Sequence, residues 1–153
     1  WSASKLSTAG LEISFVQDNL SYSKAAGTLR GMHCQLAPFA QGKLISVLTG
    51  SILDVIVDIR TDSPSFGQSI SVPLDEDKAT QLWVPPGFLQ GFLTLSPDTR
   101  VLYKVTAPYS KEHDRSVLWN DPALSIDWGI QTPVLSDKDA MAPLLKDSDI
   151  QFD

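Results

Sequence analysis

His33 carries the clearest chemical signal in this sequence. The chain has two histidines among its 153 residues, and His33 lies in a strand-like run, 29–35, that also contains Arg30 and Gln35. Histidine takes up and releases protons near neutral pH, so His33 is a candidate acid–base group; a hydrogen-bonded core histidine would fit the same local pattern. Strict alternation places His33 and Gln35 on one face of the strand and Arg30 on the other. His113 lies among charged residues that predict an exposed loop.

Strand patterns recur through most of the chain. Short apolar or alternating runs are separated by turn clusters rich in Gly, Pro, Asp and Ser, which predicts an all-β sandwich or barrel. Two short helices are also predicted, one over residues 2–9 that ends at Gly10 and one over 137–142 with Ser136 as its N-cap. The predicted strands are 13–17, 29–35, 43–48, 52–59, 69–72, 81–84, 88–95 and 100–105.

The segment 43–59 predicts a pair of strands joined by a tight turn, and it indicates which face of the second strand is buried. Thr49 and Gly50 form a tight-turn signal between two apolar runs, which predicts a hairpin. The second run alternates, so its side chains divide between two faces. The expected core face holds Val55, Val57 and Ile59, and the opposite face holds Asp54, Ile56 and Asp58.

Composition excludes several classes of protein. Twelve Lys and Arg against 18 Asp and Glu give a formal charge of −6 without any basic run, so we expect no nucleic-acid partner. The single cysteine, Cys34, cannot form an internal disulfide or a cysteine-based zinc cluster, and it fits the reducing cytoplasm. No apolar run is long enough to predict a membrane span.

Seven segments in one register, from about residue 15 to residue 145, carry a resemblance to a known family. They include VPPGFLQGF at 84–92 and SDKD at 136–139, and the full set is 15–19, 29–33, 41–44, 84–92, 102–104, 118–122 and 135–139. Together they resemble the dTDP-4-dehydrorhamnose 3,5-epimerase family of sugar-nucleotide epimerases.

The resemblance implies an all-β jelly-roll barrel of the cupin type with an active site in the barrel mouth. It also implies an isomerase that removes a proton next to the C4 ketone of a dTDP-linked 4-keto-6-deoxyhexose and returns it to the opposite face, at C3, at C5 or at both. No metal or other cofactor is expected, because the usual metal-cupin pattern has two histidines one residue apart and the run 33–35 contains one.

Four residues match the catalytic positions of the family. By resemblance, His33 is the base, Asp139 orients it, Lys43 stabilises the enolate oxygen and Tyr103 delivers the new proton. Taken singly, each has an ordinary structural interpretation: Asp139 as a charge at a helix N-terminus, Lys43 as a surface cation and Tyr103 as a half-buried strand residue. Their common register makes them catalytic candidates.

The resemblance also implies substrate-binding residues. A guanidinium suits a diphosphate, and an exposed aromatic ring can stack on thymine. The expected contacts are Arg30 for the diphosphate, Gln17 and Asn19 for the nucleotide, Tyr109 for the base, and Gln90, Asp114 and Lys138 as further ligand contacts.

The sequence departs from the family at two places. Gln90 stands where the family usually has His, and an amide cannot carry charge or shuttle protons. The Gly-Asp-x-Arg-Gly arm, which contributes to the nucleotide site in the family, does not occur in residues 1–153. We expect these residues to form one domain. By resemblance, we also expect the protein to be a homodimer.

Two other functions remain open at this point. The first is a sugar-nucleotide-binding cupin with little or no turnover, which Gln90 and the lack of the arm would favour. The second is a cupin isomerase that moves the keto group between C3 and C4, which would be expected to need more histidines than this chain has.

Overall fold

The computed structural model describes residues 2–152 and confirms the all-β jelly-roll prediction. Within these residues, nine strands form two antiparallel sheets that enclose a shared lumen. The strands are β1 (Gln17–Ser23), β2 (Leu29–Gln35), β3 (Lys43–Thr49), β4 (Ser51–Asp58), β5 (Ser69–Asp75), β6 (Gln81–Val84), β7 (Phe88–Thr94), β8 (Thr99–Val105) and β9 (Asp114–Ser116). One sheet has the order β1-β8-β3-β6, and the other has the order β5-β4-β7-β2-β9.

Both predicted helices form at the periphery, with shorter bounds. Helix α1 spans Ala3–Thr8, and the Ser2 hydroxyl accepts a hydrogen bond from the Lys5 backbone N–H at its start. Helix α2 spans Asp137–Ala140 after Ser136, and a 3₁₀ turn follows at Leu145–Asp147. No helix within residues 2–152 has the length and apolar character needed to cross a membrane.

Two apolar clusters hold the sheets in place. One fills the lumen with side chains from both sheets: Ile45, Val47, Ile52, Leu74, Val84, Phe92 and Val101. The other lies on the outer face of the five-stranded sheet, where the segment after β9 covers it: Leu29, Met32, Cys34, Val55, Val57, Ile59, Leu89, Leu93, Val117, Leu124 and Trp128. Full burial of a large apolar side chain contributes about 1.5–3 kcal/mol, so these clusters provide most of the stability.

Strand β4 is buried on both faces. The predicted core face is confirmed, since Val55 and Val57 are fully buried in the outer cluster. The opposite face is buried as well: it points into the lumen, and Asp54 and Asp58 on it are 0% and 2% exposed. The sequence therefore places two carboxyl groups inside the protein, where they need compensating partners.

The predicted hairpin at Thr49 and Gly50 is wrong. Strand β3 pairs with β6 and β8, whereas β4 pairs with β5 and β7 in the other sheet. Gly50 has φ +83°, and a Cβ there would lie 2.5 Å from the Thr99 hydroxyl oxygen. The local turn chemistry reverses the chain as expected, but partners distant in sequence decide which strands share hydrogen bonds.

The first strand lies further along the chain than predicted. The prediction was 13–17, but β1 begins at Gln17 and continues through a polar stretch to Ser23. Its partner β8 ends at Val105, which pairs with Gln17. Residues 13–15 therefore lie beyond the end of β8, the strand with which β1 pairs, and their apolar alternation does not make a ladder.

The charged run at 111–115 is only partly a loop. Residues from Asp114 onward form β9, which pairs with β2 and extends the five-stranded sheet. His113 precedes this strand and is half-buried rather than exposed, because it packs on the Phe39 ring and its Nδ1 hydrogen-bonds the Ser110 hydroxyl.

Candidate active site

A β-bulge in β2 places Arg30 and His33 on the same face of the strand. Arg30 pairs with Phe92 and His33 pairs with Gln90, and the register shifts between them. Phe92 and Gln90 both face the lumen, so Arg30 and His33 do too. The prediction of opposite faces is wrong because strict alternation cannot account for the extra residue of a bulge.

Gly31 allows the two central strands to approach closely at this bulge. It has φ +133°, and a Cβ there would lie 2.5 Å from the Cα of Gly91 on β7. Only glycine combines this backbone conformation with this spacing. The glycine between Arg30 and His33 is therefore part of what aims both side chains inward.

The mouth of the lumen contains two adjoining cavities. The larger has a volume of about 430 Å³ and the smaller about 190 Å³. Four residues line both of them: His33, Lys43, Tyr103 and Lys138. Together the cavities have the size of a small-molecule site.

All eleven residues predicted for the site line one or both of these cavities. Arg30, Gln90 and Asp139 line only the larger one, and Gln17, Asn19, Tyr109 and Asp114 line only the smaller one. The fold thus brings together side chains from β1, β2, β3, β7, β8, β9 and α2. The role of each residue remains a prediction at this stage.

A hydrogen-bonded pair, His33 and Asp139, lies on one side of the larger cavity. The His33 Nε2 and Asp139 Oδ1 atoms are 2.6 Å apart, and the Asp139 side chain is nearly fully buried. Burial by itself would raise the pKa of Asp139, but the hydrogen bond and the charge of His33 outweigh it and lower that pKa. When His33 is neutral, a carboxylate at this nitrogen favours the tautomer with the proton on Nε2, and Nδ1 then has the free lone pair of a base.

Ser136 fixes the orientation of Asp139. Its hydroxyl donates to Asp139 Oδ2 at 2.8 Å and accepts from the Asp139 backbone N–H at 3.2 Å. The same hydroxyl caps α2, so the helix start and the carboxylate are held by one group. The sequence identified Ser136 as the cap but not as a support for the His33 partner.

Lys43 and Tyr103 face His33 from the other sheet. They belong to the neighbouring strands β3 and β8, where Ile45 pairs with Tyr103 and Lys43 lies two residues before Ile45 on the same face. Burial raises the pKa of the Tyr103 phenol, which keeps it protonated near neutral pH. The His33 imidazole and the Tyr103 phenol therefore flank the cavity from opposite sheets.

The Lys43 ammonium is almost completely buried. It donates to Gln90 Oε1 at 3.2 Å and lies 3.5 Å from the backbone oxygen of His33. Gln90 in turn donates from Nε2 to Asp54 Oδ2 at 2.9 Å. Burial lowers the pKa of Lys43. Asp54 is a buried neighbour of the site to which the sequence pattern gave no role.

The smaller cavity presents amide and aromatic groups. Gln17 donates to Asn19 Oδ1 at 2.8 Å and accepts from the Tyr109 backbone N–H at 3.2 Å. The Tyr109 side chain is exposed, and the Lys138 ammonium bonds the Asp114 carboxylate beside it. This part of the site offers hydrogen-bonding groups and a free ring face.

Arg30 is held at the wall of the larger cavity. Its Nε donates to the Ser23 hydroxyl at 3.2 Å, and its Nη2 donates to the backbone oxygen of Tyr22 at 3.0 Å. These bonds leave other N–H groups of the guanidinium for an anion, since arginine has five donors.

Gln35 and Gln41 also line the smaller cavity and were not among the predicted residues. Gln35 donates to the backbone oxygens of Phe39 and Pro108 and accepts from the Ser110 N–H. Gln41 donates to the backbone oxygen of Ala107. Both amides bind loop backbone, so their evident role is to shape the cavity. The sequence gives one indication that Gln35 belongs to the site: strict alternation places it on the same strand face as His33.

Comparison with known proteins agrees with this geometry. The family model described as dTDP-4-dehydrorhamnose 3,5-epimerase matches residues 1–147. A dTDP-4-dehydrorhamnose 3,5-epimerase of Sinorhizobium fredii (strain NBRC 101917 / NGR234) is 50% identical over 142 residues, which cover 92% of this chain and 73% of the relative.

Solved structures of relatives have the same fold. The dTDP-4-dehydrorhamnose 3,5-epimerase of Bacillus anthracis str. Ames, with TDP and PPi bound, superposes with a TM-score of 0.93 at 54% identity and covers 95% of this chain and 83% of its own. The dTDP-6-deoxy-D-glucose-3,5-epimerase of Legionella pneumophila Philadelphia 1, in complex with dTDP-4-keto-L-rhamnose, superposes with a TM-score of 0.91 at 44% identity. The match covers 97% of this chain and 79% of the Legionella chain. The chain that carries this paired histidine and facing tyrosine belongs to the dTDP-4-dehydrorhamnose 3,5-epimerase family.

Proposed function

We propose that this protein epimerises a dTDP-linked 4-keto-6-deoxyhexose at C3 and C5. The observation that carries the proposal is a single cavity with His33 on one sheet and Tyr103 and Lys43 on the facing sheet. Inversion of a carbon centre needs a base and an acid on opposite faces of the sugar. Membership of a family named for 3,5-epimerisation supports both centres as targets.

Each role follows from the chemistry of the side chain. His33 Nδ1 takes the proton from the carbon next to the ketone. The electron pair of the broken C–H bond forms a C=C bond to C4, and the π pair of the C4 carbonyl moves to its oxygen, giving an enolate. The Lys43 ammonium stabilises the negative oxygen. The enolate then collapses, and the carbon takes the Tyr103 phenolic proton on its opposite face. Water restores the proton on Tyr103, and His33 releases its proton to solvent.

The dTDP part of the substrate would occupy the remaining contacts. Arg30 supplies donors for the diphosphate, Gln17 and Asn19 supply amides for the nucleoside, and the exposed Tyr109 ring supplies a stacking surface. Lys138 lines both cavities, and Asp114, which it bonds, lines the smaller one. The TDP bound to the Bacillus relative and the dTDP-sugar bound to the Legionella relative support this ligand class.

A binding protein without turnover is the less favoured alternative. Gln90 was its main support, but Gln90 bonds Lys43 and Asp54 and leaves the His33–Asp139 pair complete. A protein that had lost turnover would be free of the need to keep a buried carboxylate aimed at a histidine.

Proton NMR in D₂O with a dTDP-4-keto-6-deoxyhexose tests the proposal. We expect deuterium at C3 and C5 and a product of inverted configuration. The Tyr103→Phe variant should still exchange the first proton but should lose most inversion, because the phenyl ring cannot deliver a proton. Binding of the substrate without any deuterium incorporation would establish the binding-only alternative instead.

We further infer a homodimer that acts in the cytoplasm. Strand β1 is an edge of its sheet, and Leu20 in it and Val16 just before it are more than half exposed, which favours pairing with a second copy. The single cysteine, Cys34, is buried and free, as is usual in a reducing compartment. Analytical ultracentrifugation should give twice the chain mass; a monomer at micromolar concentration would contradict the dimer.

A further inference from the structure

Behind Lys43, a chain of hydrogen bonds leads away from the cavity to a carboxyl group in the barrel wall. We propose that Asp54 and Gln90 are positioning residues: Asp54 orients the Gln90 amide, and Gln90 holds the Lys43 ammonium at the cavity wall. The inference rests on the proposed function, in which that ammonium stabilises the enolate oxygen.

The polarity of the amide links the three residues. An ammonium can only donate, so Lys43 must meet the Gln90 carbonyl oxygen, as it does at 3.2 Å. The amide nitrogen then points the other way and needs an acceptor, which Asp54 Oδ2 provides at 2.9 Å. Turning the Gln90 amide over would place N–H groups against the ammonium. Lys43 and Asp54 therefore fix one orientation between them.

The burial of Asp54 argues against a purely structural role. The residue is 0% exposed, and its Oδ1 has no hydrogen-bond partner among the described residues, 2–152. An incompletely bonded buried carboxyl is unfavourable for stability. On the same strand, Asp58 is bonded by Arg60, Ser63 and Ser65. A carboxyl that weakens the fold and connects to a cavity lysine is more simply explained by the site.

Electrostatic interactions couple Lys43 and Asp54, the two ends of this series of hydrogen bonds. Burial raises the pKa of Asp54 to about 8, and the charge of Lys43 opposes that rise. Burial lowers the pKa of Lys43, and the charge of Asp54 opposes that fall. As the pH rises and Asp54 ionises, its negative charge keeps Lys43 protonated to a higher pH than burial alone would permit.

Other titratable groups also face Lys43 and can change its pKa. They are Cys34 on β2, Asp114 on β9 and Lys138 on α2, with His33 and Tyr103 on the same cavity. Burial raises the pKa of the Cys34 thiol to about 12, so it stays neutral in the working range. Asp114 is bonded to Lys138, which leaves Asp54 as the acidic group linked to Lys43 through a shared amide.

The Asp54→Asn variant separates charge from geometry. Asparagine keeps an oxygen that can accept from Gln90 but removes the negative charge. We expect the pKa of Lys43 to fall, because a negative charge that opposes the effect of burial is lost, and the alkaline limb of the pH profile of kcat to move to lower pH with it. The pKa of Lys43 can be read from ¹³Cε-labelled lysine by NMR, with assignment from Lys43→Arg. Asp58→Asn, the other buried carboxyl of β4, is the matched control and should shift neither.

Gln90→Leu removes the bridge itself. We expect kcat to fall about 10²-fold across the pH range, because the ammonium is no longer held in place, while KM changes little. A rise in KM with unchanged kcat would make Gln90 a substrate contact and would overturn the inference. If Asp54→Asn does not fold, the kcat and the Lys43 pKa of Gln90→Leu test the inference instead.

The two proposals fail in different ways. Absence of proton exchange in the unmodified protein would refute the epimerase, whereas the Lys43 pKa in Asp54→Asn would still decide the present inference. An unchanged Lys43 pKa and an unchanged pH profile in Asp54→Asn would overturn the positioning role even in a fully active enzyme.

Discussion

Strands β4 and β7 have two buried faces of opposite character. Their outer faces are apolar, with Val55, Val57 and Leu89 in one cluster under the segment that follows β9. Their lumen faces combine apolar Ile52 and Phe92 with the polar Asp54 and Gln90, which form a hydrogen-bonded chain that ends at the cavity. Burial alone therefore does not distinguish core from site in this protein; what distinguishes them is whether the buried groups need hydrogen bonds.

This difference separates stability from chemistry at adjacent positions. Apolar burial is non-directional and favours folding in proportion to area. Buried polar groups are unfavourable unless bonded, and their bonds fix orientation. Substitutions of the apolar outer face should therefore change unfolding, and substitutions of the polar groups on the lumen face should change turnover.

Replacement of His33 by alanine should have the largest effect on turnover. We expect kcat to fall by about 10²–10⁴-fold, because a positioned acid–base group is lost. The measurement is the rate of deuterium incorporation at C3 and C5. His113→Ala removes the other histidine and should keep its rate; a similar loss in both variants would contradict the assignment of the base.

Replacement of Leu89 by alanine tests the outer face of the same sheet. Leu89 is fully buried, one residue before Gln90 and on the opposite side of β7. The free energy of unfolding should fall by about 2–5 kcal/mol through lost burial and a cavity, as measured by urea denaturation. The folded fraction should keep its kcat; a tenfold loss of kcat would show that the two faces are not independent.

Replacement of Ser136 by alanine should affect both properties moderately. The hydroxyl caps α2 and bonds Asp139, so we expect a loss of about 1 kcal/mol in unfolding free energy. A small displacement of Asp139 should lower kcat about 10-fold. Ser136→Thr keeps the hydroxyl and should restore both values. If Ser136→Ala lowers stability alone, the hydroxyl serves only as a helix cap.

The two aspartates of β4, Asp54 and Asp58, should give opposite pH dependences of stability. We expect this to be the smallest of the four effects predicted for these substitutions. Burial raises the pKa of Asp54 to about 8, so the stability linked to its protonation is fully present below about pH 4, where the unfolded carboxyl is also protonated, and is lost as the pH rises from there to about 8. The Arg60 hydrogen bond lowers the pKa of Asp58, so its contribution is present above about pH 4 and is lost on acidification.

Thermal unfolding across pH provides the measurement. Above about pH 8, Asp54→Asn should melt about 2–4 °C above the unmodified protein, the shift that about 1 kcal/mol produces at this chain length. Asp58→Asn should instead lose stability at neutral pH and show a flatter acid side. Identical pH curves for the two variants would contradict the distinction between these carboxyl groups.

The strands were largely predictable, and their pairing was not. Alternation identified β2, β3, β4, β6, β7 and β8 to within one or two residues at most ends, because side-chain period is a local property. Alternation predicts the first strand too early in the chain, and the turn signal at Gly50 predicts a hairpin that does not form. Both errors concern hydrogen-bond partners that lie far away in sequence.

The candidate site shows the same division. The eleven residues came from motif resemblance, and all of them meet at the cavities. Their support was not visible in the sequence: the bulge that turns Arg30 inward, the Ser136 hydroxyl on Asp139, and the Asp54 carboxyl behind Gln90. A motif names the groups that would touch a substrate, whereas the groups that hold them depend on packing between strands.

The sequence by itself determined the all-β class, the acidic surface charge, the helix caps and the identity of the groups that could do chemistry, because propensity, charge and side-chain type are local. The tertiary structure alone decided that both faces of β4 are buried, that β3 and β4 separate into two sheets, and that His33 and Tyr103 face each other across one lumen. Those outcomes depend on contacts between residues far apart in the chain, which local pattern does not encode.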